Sequence, residues 1–275
     1  MTNPRVTVLT PTYNRSRTLP RVYDSLLQQT ASHSQFEWLV IDDGSQDDTR
    51  ALLSRWSREA TFAVRYLWQS NSGKHVAVNR GVREARGGLL LILDSDDKCI
   101  PDTIERFLHH WDRLADSDKY FGIGCLCQDE NGKIIGKRFE VEEVASLKEK
   151  YRFIQVPEGW AVLRTDLLRQ FPYPEFAGEK YCDESLVWNR LFSLYRLRLI
   201  NEALRIYYQD PRDTKSITSR QRRLRIENIQ GTSEYYKQLM FSRAPLRVRL
   251  RATVARVAFR ILHVVDSLQP SGRSR

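Results

Sequence analysis

Leu89-Leu-Leu-Ile-Leu-Asp-Ser-Asp-Asp97 is the stretch that decides the fold class. Five consecutive apolar residues show no alternation. A strand of that kind is buried on both faces, as central parallel strands are. Three carboxylates follow within four positions, where the strand would end. Gly87-Gly88 closes the preceding helical stretch, and Pro101 stands at the first turn of a helix running to Leu114. The same strand–loop–helix unit recurs upstream. Arg5 to Thr10 is a β-rich run stopped by Pro11, and Thr18 to Gln28 carries Leu19, Val22, Tyr23, Leu26 and Leu27 at helical spacing. Phe36 to Ile41 is a second strand, stopped by Asp42-Asp-Gly-Ser45, and Asp47 or Asp48 caps a helix toward Arg58. Phe62 to Trp68 is a third strand, and after the Asn71-Ser-Gly73 turn a helix runs from Lys74 to Arg86. Strands alternating with helices predict an α/β chain with a parallel sheet. Ligands of such sheets bind beyond the carboxyl ends of the strands. Thr10-Pro-Thr-Tyr-Asn14, Asp42-Asp-Gly-Ser45 and Asp94-Ser-Asp-Asp97 are expected to converge there.

The second half is less regular. Phe121–Cys127 and Lys133–Phe139 read as a hairpin around Asp129-Glu-Asn-Gly132. Pro157–Arg169 reads as a loop entering a short helix, Asp183–Tyr195 as an amphipathic helix and Leu197–Tyr208 as a strand. Gln209–Ser219 is expected to be a polar loop and Arg220–Leu239 one charged helix, with Pro245 breaking before a last helical stretch. The 275 residues are 41% hydrophobic and 28% charged, which excludes a mostly disordered chain. No run approaches the roughly 20 apolar residues of a spanning helix. Residues 1–5 lack the pattern of a secretory leader. The expected location is therefore cytoplasmic, peripheral on the inner face of the membrane. Cys99, Cys125, Cys127 and Cys182 are neither zinc-spaced nor redox-spaced and are expected as reduced, partly buried thiols.

Asp94, Asp96 and Asp97 repel one another unless a cation or hydrogen bonds compensate. Hard oxygen donors suit Mn²⁺ or Mg²⁺, and phosphate oxygens can complete such a shell. The structural alternative is an acidic first turn before Pro101. Asp43 can accept an N–H from a base or hold a ribose hydroxyl; it also suits a plain turn. Tyr13 can stack on a base or pack as a surface aromatic.

These segments stand in an order that resembles family 2 glycosyltransferases, nucleotide-sugar-dependent enzymes of the GT-A fold. The resemblance is carried by Thr10-Pro-Thr-Tyr-Asn-Arg15, Ile41-Asp-Asp-Gly-Ser45 with Asp47 and Thr49, Asn71-Ser-Gly-Lys-His-Val-Ala-Val-Asn79 and Leu93-Asp-Ser-Asp-Asp97. It covers residues 5 to about 210 and implies a Rossmann-like, mostly parallel sheet flanked by helices. Residues 1–219 would form the GT-A domain, with a nucleotide-binding half (1–115) and an acceptor-side half (116–219), followed by a basic helical C-terminal extension (220–275). The resemblance implies that Thr10, Pro11 and Tyr13 cradle the nucleoside and that Asp43 binds the base, with uridine favoured. Asp94 and Ser95 would lie on the ribose side, and Asp96 would hold the metal, with Asp97 beside it or as a further ligand. Lys74 would lie where the donor diphosphate passes, unless it is a solvated lysine at a helix start. Glu179-Lys-Tyr-Cys-Asp-Glu-Ser-Leu-Val-Trp-Asn-Arg190 resembles the segment bearing the catalytic base. The usual order there is Glu-Asp, so Asp183-Glu184 leaves both residues open as base. Glu158-Gly-Trp160 resembles an acceptor-side segment, in which Trp160 stacks on a sugar or packs in the core. The implied activity is inverting transfer from a nucleoside-diphosphate sugar to a hydroxyl of a glycan or lipid-linked acceptor, in cell-surface polysaccharide assembly.

Charge adds one further feature. Residues 241–275 hold eight arginines (243, 247, 249, 251, 256, 260, 273 and 275) and one acid, Asp266, so +7 of the net +10 lies there. Leu246, Leu250, Val254, Val257, Ile261, Val264, Val265 and Leu268 share one helical face, with Arg249, Arg256, Arg260 and His263 on the other. Such a helix either lies on anionic lipid or packs its apolar face on the main domain with solvated arginines. A nucleic-acid-binding role for the tail is the competing reading. It lacks a stacking platform, so no nucleic-acid partner is expected. A sugar-nucleotide pyrophosphorylase is disfavoured by the Pro-Thr-Tyr-Asn-Arg loop.

Overall fold

The computed structural model describes residues 3–154, 159–208 and 217–268. The first half alternates as expected: β1 (Val6–Thr12), α1 (Leu19–Leu27), β2 (Phe36–Asp42), α2 (Thr49–Glu59), β3 (Ala63–Trp68), α3 (Lys74–Glu84) and β4 (Leu89–Ile92). These strands lie parallel in the order β3-β2-β1-β4, with Thr12 level with Asp42 and Leu9 with Ile92. Period-2 alternation sorts their side chains between two layers. Val6, Val8, Trp38, Val40, Leu89 and Leu91 meet α1, α2 and α4 (Thr103–Asp112) on one face. Leu9, Leu39, Ile41 and Leu90 meet α3 and the later helices on the other.

The second half departs from the sequence reading in three places. Trp160–Arg164, read as part of a loop, is a strand, β8, inserted antiparallel between β4 and β6 (Tyr120–Gln128). Five residues are too few for periodicity to separate buried strand from helix. The proposed hairpin closes its turn, with Gly132 at φ +80° and the Asp129 carboxylate accepting from Asn131 N and Lys133 N. Its return arm pairs only at Ile134 with Gln128. Both edges of β6 are otherwise occupied, by β8 and by the parallel β9 (Arg196–Ile206). Short strands β5 (Lys98–Cys99) and β7 (Glu143–Val144) complete the far edge on β9. α5 (Leu147–Phe153), α6 (Thr165–Gln170) and α7 (Ser185–Leu194) cover the second face.

The expected single charged helix is broken into α8 (Ile217–Glu227) and α9 (Ile229–Phe241). Asn228 lies between them; its Oδ1 accepts from Lys180 N at 2.7 Å and Tyr181 N at 3.0 Å. Anchoring to a neighbouring loop fixes a local geometry that helix continuation would forbid. Most of the expected polar loop, residues 209–216, lies outside the described residues; residues 217–219 begin α8. The last helix, α10 (Leu246–Leu268), packs on α9 and α8. No helix among the described residues is long and apolar enough to cross a membrane. Cys99, Cys125, Cys127 and Cys182 are all buried thiols.

Candidate active site at the carboxyl ends of the strands

The three polar clusters do converge: hydrogen bonds interlock the first two, and ion pairs from Arg15 and Lys74 join the third. After β1, Asn14 turns through the left-handed region (φ +52°), where Asn is tolerated. Its N–H donates to Ser45 Oγ at 2.8 Å, and its Oδ1 accepts from Gln46 N at 2.8 Å. Ser16 N donates to Asp47 Oδ2 at 2.9 Å, while Asp47 Oδ1 accepts from Thr49 N at the start of α2. Asp47, rather than Asp48, therefore satisfies that helix end. Thr10 and Pro11 are buried in β1, and Thr10 Oγ1 accepts from the Trp38 indole at 2.9 Å. They form the floor of the site, and Tyr13, 47% exposed, is its open aromatic.

Asp42 and Asp43 are both buried and do different work. Asp42 accepts from Ser45 N and from the Tyr66 hydroxyl at 2.9 Å. Burial and then that carboxylate push the Tyr66 phenol well above its usual value. Asp43 Oδ1 accepts from Gln69 Nε2 and Ser72 N, and Oδ2 from Gly73 N at 2.8 Å. A carboxylate offers about four lone-pair sites, so one acceptor position on Oδ2 remains for a ligand. Asp43 thus fixes the loop that delivers Lys74 to the first turn of α3.

Lys74 is the hub. Its Nζ lies 2.7 Å from Asp94 Oδ1 and 2.9 Å from Glu184 Oε1, so it joins the acidic loop after β4 to the start of α7. Burial pulls its proton affinity down, but Asp94 and then Glu184 outweigh this and hold the ammonium well above its ordinary value. It is therefore no solvated helix-start lysine. Burial pushes the Asp94 carboxyl up, and Lys74 and Arg205 bring it on balance below its usual range. Ser95 is buried beside it.

The two acids at the start of α7 face opposite ways. Glu184 is 57% exposed at its side chain and meets Lys74. Asp183 is buried; it pairs with Arg225 of α8 and accepts from Ser185 N. Asp96 and Asp97 also diverge. Asp97 is fully buried, accepts from Tyr208 N at 3.0 Å, and lies 3.6 Å from Arg205 Nε of β9. It faces away from solvent and locks the back of the loop, so it is not placed as a solvent-facing metal ligand. Asp96 faces outward, with Arg15 at 3.7 Å. Burial and then the neighbouring Asp94 carboxylate raise its carboxyl above the usual range, against the pull of Arg15. That is the environment a divalent cation stabilises. Among the described residues no group of three or more His, Cys, Asp or Glu is arranged to hold a metal. Asp96 thus fits a metal only where ligand oxygens supply most of the shell.

Trp160 packs in the core: its indole donates to Ile92 O, and its ring meets Phe107 edge-on. The structure favours the core alternative over sugar stacking. Glu158 lies outside the described residues. Arg205, Arg225 and Asn228 were not picked out from sequence. Arg205 offered little signal, because β9 carries Arg196 and Arg198 as well, and only the structure shows that Arg205 is the buried one.

Asp97 yields a pH prediction. Burial pushes its carboxyl up to about 7, against the pull of Arg205. The unfolded chain releases that proton near pH 4, so the folded state binds more protons between about pH 4 and 7. The contribution to stability is full below that window and falls as pH rises through it. In EDTA, the melting temperature of the wild type relative to Asp97→Asn is expected to drop between about pH 5 and 8. A difference that stays flat or grows contradicts this.

A mostly parallel sheet flanked by helices, with an acidic loop after its central strand, is the architecture of GT-A glycosyltransferases. Residues 7–158 match the family model described as Glycosyl transferase family 2. The chain belongs to that family. An uncharacterized glycosyltransferase of Nostoc sp. is 24% identical over 260 residues, covering 86% of this chain and 76% of that protein. TuaG of Bacillus subtilis, named for teichuronic acid biosynthesis, is 35% identical over 132 residues, covering 47% of this chain and 51% of its own length. Among solved structures, S. aureus TarS 1–349 in complex with UDP-GlcNAc aligns at TM-score 0.65 and 17% identity, covering 98% of this chain and 74% of that one. The mannosyltransferase PcManGT from Pyrobaculum calidifontis, in complex with GDP-Man and Mn²⁺, aligns at 0.64 and 19%, covering 100% and 77%.

Proposed function

We propose that this chain transfers a sugar, with inversion, from a UDP-sugar to a hydroxyl of a glycan or lipid-linked acceptor in cell-surface polysaccharide assembly. The observation that carries this reading is the Lys74 bridge: the one exposed acid at the start of α7, Glu184, is held beside the acidic loop after β4. Glu184 takes the proton of the acceptor hydroxyl as its oxygen attacks the anomeric carbon, and the nucleoside diphosphate leaves from the opposite side. Tyr13 stacks on the base, Asp43 accepts from it through its remaining lone pair, and Asp94 with Ser95 lies against the ribose. Lys74 faces the diphosphate and keeps Glu184 turned toward the donor. Asp96 would hold Mn²⁺ or Mg²⁺, which share the same oxygen ligands. When bound, that ion neutralises charge growing on the diphosphate. The UDP-GlcNAc complex of TarS and the teichuronic acid biosynthesis for which TuaG is named support the UDP and cell-surface parts of the reading. Peripheral attachment on the inner face of the membrane fits a lipid-linked acceptor.

Calorimetric titration with UDP, GDP, CDP and TDP, in Mn²⁺ and in EDTA, tests the donor site. UDP is expected to bind most tightly, in Mn²⁺ only, with affinity reduced about tenfold or more in Asp96→Ala. Preference for GDP would replace the donor nucleoside. Absence of binding to every diphosphate would remove the donor-site assignment.

A further inference from the structure

Helix α10 is amphipathic in an inverted sense. Its polar side packs inward: Arg256 Nε and Arg260 donate to Ser233 Oγ, Arg249 Nε donates to Met240 O, and His263 Nδ1 lies 2.8 Å from Ile226 O. Ala252 is buried, and Phe259 stacks on Tyr236 at 5.7 Å. The opposite side is an apolar stripe open to solvent along the whole helix, from Leu246 through Val254 (71% exposed) and Ile261 to Leu268 (77%). Packing of the apolar face on the main domain, one of the two alternatives for this segment, is therefore overturned.

Exposed apolar faces of this length mark interaction surfaces. The occupant is constrained by charge. Arg247 and Arg251 stand exposed on one border of the stripe, and Arg249 and Arg260, although each donates inward through one nitrogen, remain exposed beside the other, against a single acid in the helix, Asp266. A second copy of the same face would set arginines against arginines. Outside the described residues, positions 1–2, 155–158, 209–216 and 269–275 of the sequence hold only two apolar side chains besides proline, Met1 and Val156, too few to cover the stripe. An anionic bilayer surface satisfies both components, because the stripe enters the interface while the arginine stems snorkel to lipid phosphates.

We propose that α10 docks this enzyme on anionic membrane through the outward stripe. The docking face is tied to the base-bearing segment. Arg225 of α8 pairs with Asp183, Asn228 holds Lys180 and Tyr181, and Glu179 accepts from Gln230 N and Gly231 N at the start of α9. Docking therefore fixes the orientation of the loop leading to Glu184 relative to the lipid surface. On the transferase reading above, that presents the site to a lipid-linked acceptor.

Co-sedimentation of the full chain with vesicles tests the proposal. The vesicles are phosphatidylcholine with about one-third phosphatidylglycerol, beside pure phosphatidylcholine. Binding is expected to the anionic vesicles, weakening at about 0.5 M salt. The Val257→Glu/Ile261→Glu variant is expected to partition about tenfold less or weaker, with melting temperature and UDP binding unchanged because both side chains are exposed. No anionic-vesicle binding overturns the proposal, as does binding indifferent to lipid charge. So does a solution dimer that the double variant disperses. The assay uses no sugar donor, so the two readings fail separately. Sugar transfer to a soluble acceptor without vesicle binding removes only the docking; vesicle binding without transfer removes only the transferase reading.

Discussion

Glu184→Gln is expected to lower kcat by about 10²–10⁴-fold, the usual contribution of a general base, while UDP affinity stays within about twofold of wild type. The substitution keeps the shape and one acceptor oxygen toward Lys74 but removes the ability to take a proton. Because Glu184 lies at the exposed end of α7, fold stability should not change. The comparison with Asp183→Asn makes the result decisive. Asp183 is buried against Arg225, so that variant leaves a largely buried guanidinium without its charge partner. It is expected to lose about 3 kcal/mol of stability or somewhat less while its folded fraction keeps turnover within about tenfold. Stopped-flow or radiometric transfer assays beside thermal melts separate the two effects. Full activity in Glu184→Gln with loss in Asp183→Asn would exchange their roles.

The Asp-Glu order left the base undecided in the sequence, and the reason is instructive. Two adjacent residues at a helix start point about 100° apart, so which one faces the cleft depends on what the helix packs against. That was supplied by Arg225, some forty residues on, whose partner could not be read from local pattern. The same holds for Asp96 and Asp97. The loop was legible as three acids after a buried strand, whereas the inward turn of Asp97 required Arg205 and the Tyr208 amide from β9. The parallel half was legible because its strands and helices repeat with clean periods and stops at Gly44 and Gly87, although β1 runs through Pro11, the expected stop, to Thr12. The antiparallel half was not. β8 is five residues long, and the hairpin arm lost its place to β9, a competition between segments distant in sequence. Amphipathicity identified α10, but only packing could show that its arginine side faces the protein.

Gly73→Ala is expected to be the most damaging small substitution. Gly73 has φ +102° and ψ 153°, a region open essentially to glycine alone. A methyl group there would stand 2.3 Å from Lys180 O, a backbone atom that cannot rotate aside. The strain alone is worth about 1–3 kcal/mol, and the clash must also separate the loop before α3 from the segment 179–181. Both ends of the Lys74 bridge depend on that contact: Gly73 N donates to Asp43 on one side, and Lys180 Nζ donates to Asn71 Oδ1 across it. Gly132→Ala isolates the strain, since Gly132 also has positive φ (+80°) but its methyl would meet nothing within 4 Å. Gly132→Ala should lower the melting temperature modestly and leave transfer unchanged. Gly73→Ala should lower it further, with a loss of about 2–4 kcal/mol of stability in total, and reduce kcat by about tenfold or more through displacement of Lys74 and Glu184. Equal melting losses with full activity in both variants would mean that the Gly73–Lys180 contact does not hold the base against the donor loop. In that case the Lys74 bridge would not be what positions Glu184.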